Sequence, residues 1–154
     1  MLAALAPAGH GWEAQLGWGA TLRAHWEGPD AVPGFAAENA HPRFREAGEA
    51  VDSGAYDAVV VTEMVEIRDA IRWHEPAEHL ALWARRAIAA RPGVRLFLYE
   101  TWHRLDDPEG WLERIDRDLV RHWEDQVLRP ALARLGGRVA IHVIPAGQAL
   151  ARFV

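Results

Sequence analysis

Three glutamates stand directly after apolar runs of the kind that form buried strands. Glu63 and Glu66 follow the run from Ala58 to Val61, and Glu100 follows the run from Val94 to Tyr99. Two carboxyl groups that share a pocket act as general acid and general base when their surroundings push their pKa values apart. The alternative is structural, because the same carboxylates can cap helix starts or pair with nearby arginines. Those arginines are Arg68, Arg72 and Arg104. We favour the structural alternative.

A histidine, two tryptophans, a methionine and a glutamine also stand after predicted strands. His103, with Asp106 three residues later, could supply a catalytic base and the group that orients it. An aromatic ring in a loop after a strand either forms the wall of a pocket or only packs against its neighbours. The candidate ligand cleft consists of Trp18, Met64, Trp102 and Gln148.

Nucleophiles and metal ligands are scarce in this sequence. The chain has no cysteine, and its one serine, Ser53, precedes Gly54 at the end of a predicted helix, where serine and glycine usually form caps and turns. His74 and His79 are five residues apart with Pro76 between them, whereas a zincin helix needs a spacing of four. We therefore expect a solvated helix start there, with no metal and no cofactor.

Parallel strands are the elements that would bring the candidate residues together. The runs at 58–61, 94–99 and 139–144 are apolar on both faces, which indicates strands covered by helices on both sides. His142, in the third run, is expected in the core. Ligands of open parallel sheets bind beyond the carboxyl ends of the strands, where the candidate residues lie. The pattern predicts a three-layer α/β/α sandwich with a mainly parallel sheet.

Helices alternate with these strands. Pro76 begins a patterned helix that reaches about Ala90, and Asp107-Pro108 begins another, which Pro130 should kink or divide. A further helix follows Pro145.

The first part of the chain has a different organisation. A strand is predicted from Trp12 to Leu16, followed by a glycine loop and later by a short helix from about Pro42 to Val51. Half a helix stands where a doubly wound sheet normally has its first strand. We expect residues 1–154 to be one domain that lacks its first strand and is cut at both ends.

Composition excludes several classes of partner. The formal charge of −5 leaves no basic stripe for nucleic acid, and nothing approaches 18 consecutive apolar residues, so no membrane span is predicted. The opening MLAALAPA has no positively charged region and too short an apolar part for a signal peptide, which favours the cytoplasm. The sequence does not define the oligomeric state.

Four phrases carry a resemblance to a known family. The segments WEAQLGWGATLRAHWE, YDAVVVTEM, VRLFLYETWH and VIPAGQAL resemble a bacterial subset of the SGNH (GDSL-like) hydrolases, the flavodoxin-like esterase superfamily. In that superfamily a glycine in the loop after the second strand donates its backbone amide to the oxyanion, and Gly19 is the match. The resemblance implies hydrolysis of a small-molecule acyl ester by a serine nucleophile with histidine as base.

The chain departs from that family in two places. The family's asparagine donor falls near Glu63, and an ionised carboxylate cannot donate a hydrogen bond. The serine block and the Asp-x-x-His block do not occur in these residues, so the nucleophile is expected outside this chain. A rival hypothesis is a non-catalytic α/β domain that binds a small ligand or a partner at the carboxyl ends of the strands.

Overall fold

A computed structural model describes residues 9, 11–102, 108, 110–137 and 139–153 of the protein. The helices are α1 (Leu22–Glu27), α2 (Phe35–Glu38), α3 (Ala47–Asp52), α4 (Ile67–Trp73), α5 (Pro76–Ala90), α6 (Trp111–Asp118), α7 (Arg129–Arg134) and α8 (Ala146–Ala151). A 3-10 helix spans Pro29–Ala31 and a π-helix spans Leu119–Leu128. The strands are β1 (Ala58–Thr62), β2 (Arg95–Tyr99) and β3 (Ile141–Ile144). None of the helices in the described ranges has the length and apolar character needed to cross a membrane.

The three strands form a parallel sheet in the order β1-β2-β3. They coincide with the three apolar runs, and helices separate them along the chain. The prediction of a mixed α/β protein with a parallel sheet is confirmed. Thr62 pairs with Tyr99, and Tyr99 pairs with Ile144, so the three strands end at one edge of the sheet.

The longest helix, α5, packs across this sheet. Pro76 occupies its first turn, where the missing amide hydrogen costs nothing, and Pro92-Gly93 follows its end. Its buried side includes Leu80, Trp83 and Ala84, which join Leu96 and Leu98 of β2 in one core cluster. The predicted bounds of this helix are confirmed.

A long helical segment between β2 and β3 changes its winding in the middle. It runs as α6, the π-helix and α7, and the Arg129 amide at the junction donates to the Glu124 carbonyl, five residues back. Pro130 lies in the first turn of α7, where the winding changes from π to α, but the segment remains helical from Trp111 to Arg134, so the predicted division at Pro130 is not observed. The predicted start at Asp107-Pro108 is wrong, because the helix begins at Trp111 after a Gly110 with φ of 73°.

The sheet has one covered face and one that is partly open. Leu96, Leu98 and Ile141 point into the core, whereas Val60 on the opposite face is 54% exposed. His142 is also exposed, with its ring 5.8 Å from that of Phe97, so the expectation of a core histidine is wrong. The expectation of helices on both sides is wrong at β1. An apolar run indicates that a segment forms a strand, but it does not indicate whether helices cover one face of the sheet or both.

The predicted strand Trp12–Leu16 does not join the sheet. Ala14 makes an isolated parallel bridge to Phe44, with its amide 2.8 Å from the Arg43 carbonyl. Arg43 lies in a turn and Phe44 in the bridge, so the short helix predicted from Pro42 begins only at Ala47. Within the described residues β1 pairs with β2 and has no strand on its other side.

Candidate functional site

The candidate site lies at the edge where the three strands end. Glu63 and Glu100 each follow the last residue of a strand, and those last residues are register partners, so the two glutamates occupy equivalent positions on neighbouring strands. The Glu100 amide donates to the Ile144 carbonyl at 3.0 Å, which ties the end of β2 to the end of β3. Gln148 lies in α8, which starts two residues after β3.

Glu63 is buried and is bonded to backbone amides. Its residue is 2% exposed, its Oε2 accepts from the Leu22 amide at 3.2 Å, and its Oε1 accepts from the Met64 amide at 2.7 Å. Burial raises the pKa of Glu63 to about 7, and the two amide hydrogen bonds partly oppose that rise. Because Leu22 is the first residue of α1, Glu63 fastens the preceding glycine loop to the end of β1.

Gly19 is the exposed turn of that loop. Its φ is 56°, a left-handed conformation that glycine adopts without strain, and a Cβ placed there would meet nothing within 4 Å. Its amide has no hydrogen-bond partner among the residues that the structure describes. The loop therefore presents a free backbone donor close to Glu63.

Trp18 packs on the segment after α1. Its amide donates to the Pro33 carbonyl at 2.9 Å, and its indole nitrogen donates to Glu38 Oε1 at 2.5 Å. A Cβ at Gly34 would lie 2.4 Å from the Trp18 ring, so glycine there lets the indole lie flat on the backbone. In this packing arrangement Trp18 remains 61% exposed.

Glu100 and Gln148 form a second polar group at the same edge. Gln148 Nε2 donates to Glu100 Oε1 at 3.0 Å and to the Ile115 carbonyl at 3.1 Å. Burial raises the pKa of Glu100 to about 7, the bonds from Gln148 and Gly147 oppose the rise, and repulsion from Asp116 and Asp118 adds to it. Within the described ranges, the buried atoms Glu100 Oε2, Thr101 Oγ1 and Gln148 Oε1 have no hydrogen-bond partner.

The two buried carboxyls have separate partners. Glu63 is bonded to the amides of Leu22 and Met64, whereas Glu100 is bonded to Gln148, and no hydrogen bond between described residues joins the two groups. Glu66 caps α4, because its Oε1 accepts from the Arg68 amide at 3.3 Å and from Arg68 Nε at 3.1 Å. The structural alternative of capping and pairing is therefore confirmed for Glu66, and helix-start bonding is confirmed for Glu63.

For the remaining predicted site residues the structure gives fewer contacts or none. Met64 and Trp102 are half-buried at the ends of β1 and β2. His103, with Arg104 and Asp106, lies outside the described residues, so its role as a base stays a prediction. His79, at the start of α5, is buried with Nδ1 3.1 Å from the Glu75 carbonyl. Among the described residues no group of three histidines or carboxylates is arranged to hold a metal.

Sequence reasoning missed a buried ion-pair network under this edge. Arg114, with a side chain 1% exposed, lies 2.9 Å from Asp118 Oδ2 and 3.8 Å from Glu66 Oε1. His122 Nε2 is 3.7 Å from Asp118 Oδ1, and burial lowers the pKa of this histidine. The spacing of four and eight residues between Arg114, Asp118 and His122 is the signal that could have revealed this network.

An apolar groove of about 350 Å³ runs along the free side of β1. It is lined by β1, by residues 13–16 and by side chains that include Leu22, Val51 and Trp83. Since β1 pairs only with β2 in the described structure, the backbone groups on its other side face this groove. We call this feature the β1 groove.

Ser53 lies at the wrong end of β1 for chemistry at this edge. Its hydroxyl donates to the Ala50 carbonyl at 2.6 Å and accepts from the Ala55 amide at 3.2 Å. It precedes β1, whereas Gly19 and Glu63 lie at the end of that strand, and five strand residues span roughly 16 Å. The capping interpretation of Ser53 is confirmed.

Comparison of the chain with protein-family models, with curated proteins and with solved structures gives no match.

Proposed function

We propose that this chain forms most of the core of an SGNH-type ester hydrolase, with a flavodoxin-like arrangement and a serine nucleophile outside these residues. The observation that supports it most is the Gly19 amide. It is exposed, has no partner among the described residues, and belongs to a loop that Glu63 fastens to the end of β1. A backbone amide in this state is the donor that an oxyanion requires.

The β1 groove offers a place for the strand that would carry the proposed serine nucleophile. A parallel strand seated between β1 and residues 13–16 would hydrogen-bond to the free side of β1 and would end at the same edge as the other strands. A serine just after such a strand would stand between the Gly19 loop and the end of β1. Ser53 is engaged in a cap at the opposite end of β1 and does not serve.

The chain's own contribution to the reaction is electrostatic. As serine attacks the ester carbonyl, negative charge develops on the carbonyl oxygen, and the Gly19 amide donates to that oxygen. One such donor is worth roughly 3 to 4 kcal/mol, about a hundredfold to a thousandfold in rate. Glu63 stands where the family has an asparagine, and both of its oxygens already accept from the backbone. Gly19 is therefore the donor on which this proposal depends.

The test uses the chain alone and the chain extended by its flanking coding sequence. Reading the gene outward should reveal Gly-x-Ser-Leu upstream and Asp-x-x-His downstream, both in frame. The extended protein should hydrolyse p-nitrophenyl acetate and react with a serine-directed phosphonate at the upstream serine, while the chain alone stays unlabelled. Stop codons in place of both blocks, or labelling of Ser53, would contradict the proposal.

The β1 groove also favours a second candidate of a different class, a non-catalytic domain that binds an acyl ester or an extended peptide. It requires no nucleophile, and Glu63 in the asparagine position agrees with it. If the extended protein lacks both catalytic blocks and still binds an acyl ester or a peptide by calorimetry, this second function holds.

A further inference from the structure

The loop that contains Gly19 is fastened at both ends. At its entry the Trp18 amide donates to the Pro33 carbonyl at 2.9 Å. At its exit both backbone groups of Leu22 are held by buried side chains, since its amide donates to Glu63 Oε2 at 3.2 Å and its carbonyl accepts from Trp83 Nε1 at 3.1 Å. Gly19 stands between these two attachments and makes no hydrogen bond of its own to a described residue.

Glu63 joins the exit of this loop to the sheet. Of the two side chains that hold Leu22, Trp83 comes from α5, whereas Glu63 comes from the end of β1. Its second oxygen accepts from the Met64 amide at 2.7 Å, which fixes the carboxyl group against the strand from which it extends. The side chain is therefore a rigid bridge from β1 to the loop.

We propose that Glu63 is the positioning residue for the Gly19 amide, a role that rests on the function proposed above. The carboxyl group suits this role because both of its oxygens accept, and here they face two N–H donors. A glutamine has one acceptor and one NH₂ group, so it satisfies only one of the two amides. The family's asparagine falls near Glu63, and in its ionised form Glu63 accepts two hydrogen bonds, one of which holds the loop, and contributes no donor of its own.

Amide NMR on this chain tests the role without requiring ester hydrolysis. In the wild type we expect the Leu22 amide to be protected from hydrogen exchange, and the Gly19 amide to have an order parameter near the rigid value of about 0.85. In Glu63→Leu, which keeps the bulk and removes both acceptors, the Leu22 amide should exchange at least tenfold faster. The Gly19 order parameter should fall below about 0.6, the range of flexible segments.

Glu100→Gln is the matched control. Glu100 is as deeply buried as Glu63 and follows the neighbouring strand, but it is bonded to Gln148 and not to the loop. Its variant should leave Leu22 and Gly19 unchanged. Equal loosening of Gly19 in both variants, or a rigid Gly19 in Glu63→Leu, would overturn the proposal.

Glu63→Gln keeps the test decisive if Glu63→Leu does not fold. Its amide oxygen can accept from either Leu22 or Met64, and the order of Gly19 should follow the protection of Leu22 and not that of Met64. A mobile Gly19 beside a protected Leu22 would overturn the proposal. An extended protein without esterase activity would refute the proposed function while leaving this positioning result intact, so the two failures are distinguishable.

Discussion

At the residue scale, two buried glutamates make the stability of the fold depend on pH. Burial raises the pKa values of Glu63 and Glu100 from the ordinary 4.5 to about 7 in the folded protein. Between those pH values the folded chain holds protons that the unfolded chain has released, so the free energy of unfolding falls as pH rises through this window and levels off above it. Each glutamate contributes roughly 3 kcal/mol to this fall.

Glu100→Gln should remove its part of this pH dependence. The variant keeps an acceptor for Gln148 and has no proton to lose, so its free energy of unfolding should fall about 3 kcal/mol less than that of the wild type between pH 4.5 and 7. Urea denaturation at a series of pH values measures this difference. The exposed Glu113→Gln is the control and should follow the wild type. Parallel curves for Glu100→Gln and the wild type would contradict the expectation.

The Arg114–Asp118 pair should be the costliest ion pair to break among those described. Asp118→Ala removes the carboxylate that lies 2.9 Å from a guanidinium whose side chain is 1% exposed, and we expect a loss of about 3 to 5 kcal/mol. Asp125→Ala is the matched control, because Asp125 and Arg129 are also four residues apart but are 42% and 67% exposed. The loss of stability in Asp125→Ala should be at most about 0.5 kcal/mol. Denaturant midpoints compare the two variants, and similar losses would show that burial is not the deciding factor.

At the element scale, the turn between α3 and β1 is fitted closely to the end of α5. A Cβ at Gly54, where φ is 62°, would lie 2.7 Å from the Ala90 carbonyl oxygen. At Gly136 φ is 72° and a Cβ would meet nothing within 4 Å. The two glycines therefore share the backbone conformation and differ in the space around them.

Gly54→Ala should cost about 1 to 3 kcal/mol more stability than Gly136→Ala. The left-handed conformation costs an alanine about 1 to 2 kcal/mol at either site, and displacing the last turn of α5 adds about 1 to 3 kcal/mol at Gly54 alone. Thermal unfolding of both variants measures the difference. Equal losses would mean that α5 moves aside freely.

Short-range patterns in the sequence predicted the helices and strands whose formation depends on neighbouring residues. Pro76 and the spacing of Leu80 and Trp83 predicted α5 with its bounds, and the apolar runs predicted all three strands. The segment Trp12–Leu16 was assigned to a strand because of its residue types, yet its pairing depends on which backbone lies beside it. In this chain that backbone is residues 43–45, which no local pattern indicates.

At the scale of the whole molecule, the free side of β1 is a surface on which a second chain could pair. Edge strands with unpaired backbone groups template association unless a charge or a covering element prevents it. Val60, on this strand, is 54% exposed and lines the β1 groove.

Val60→Lys should reduce self-association of this chain. A charge on an edge strand opposes pairing with another strand, so sedimentation at rising concentration should show fewer oligomers than in the wild type. Val120→Lys is the control, because Val120 is 49% exposed but lies on the π-helix. A wild type that remains monomeric at high concentration, or an equal effect of both variants, would contradict this expectation.

The candidate site was predicted in part. Parallel strands with polar ends indicated one shared edge, and the structure brings the ends of β1, β2 and β3 together there. The bonds between Glu63 and Leu22, and between Glu100 and Gln148, span 41 and 48 residues, and no sequence spacing encodes contacts at that range. For the same reason the sequence did not predict that Trp18 packs on Gly34.

The π-helix makes the number of residues between α6 and α7 critical. Loss of one residue from Leu119–Leu128 would turn everything downstream by roughly a quarter of a turn relative to α6, because a π-helix has more residues per turn than an α-helix. Ala131 would leave the core, and Arg134 would move away from Glu78, whose Oε2 now lies 2.8 Å from its Nε. This stretch should therefore accept exchanges of its exposed side chains far more readily than any change in its length.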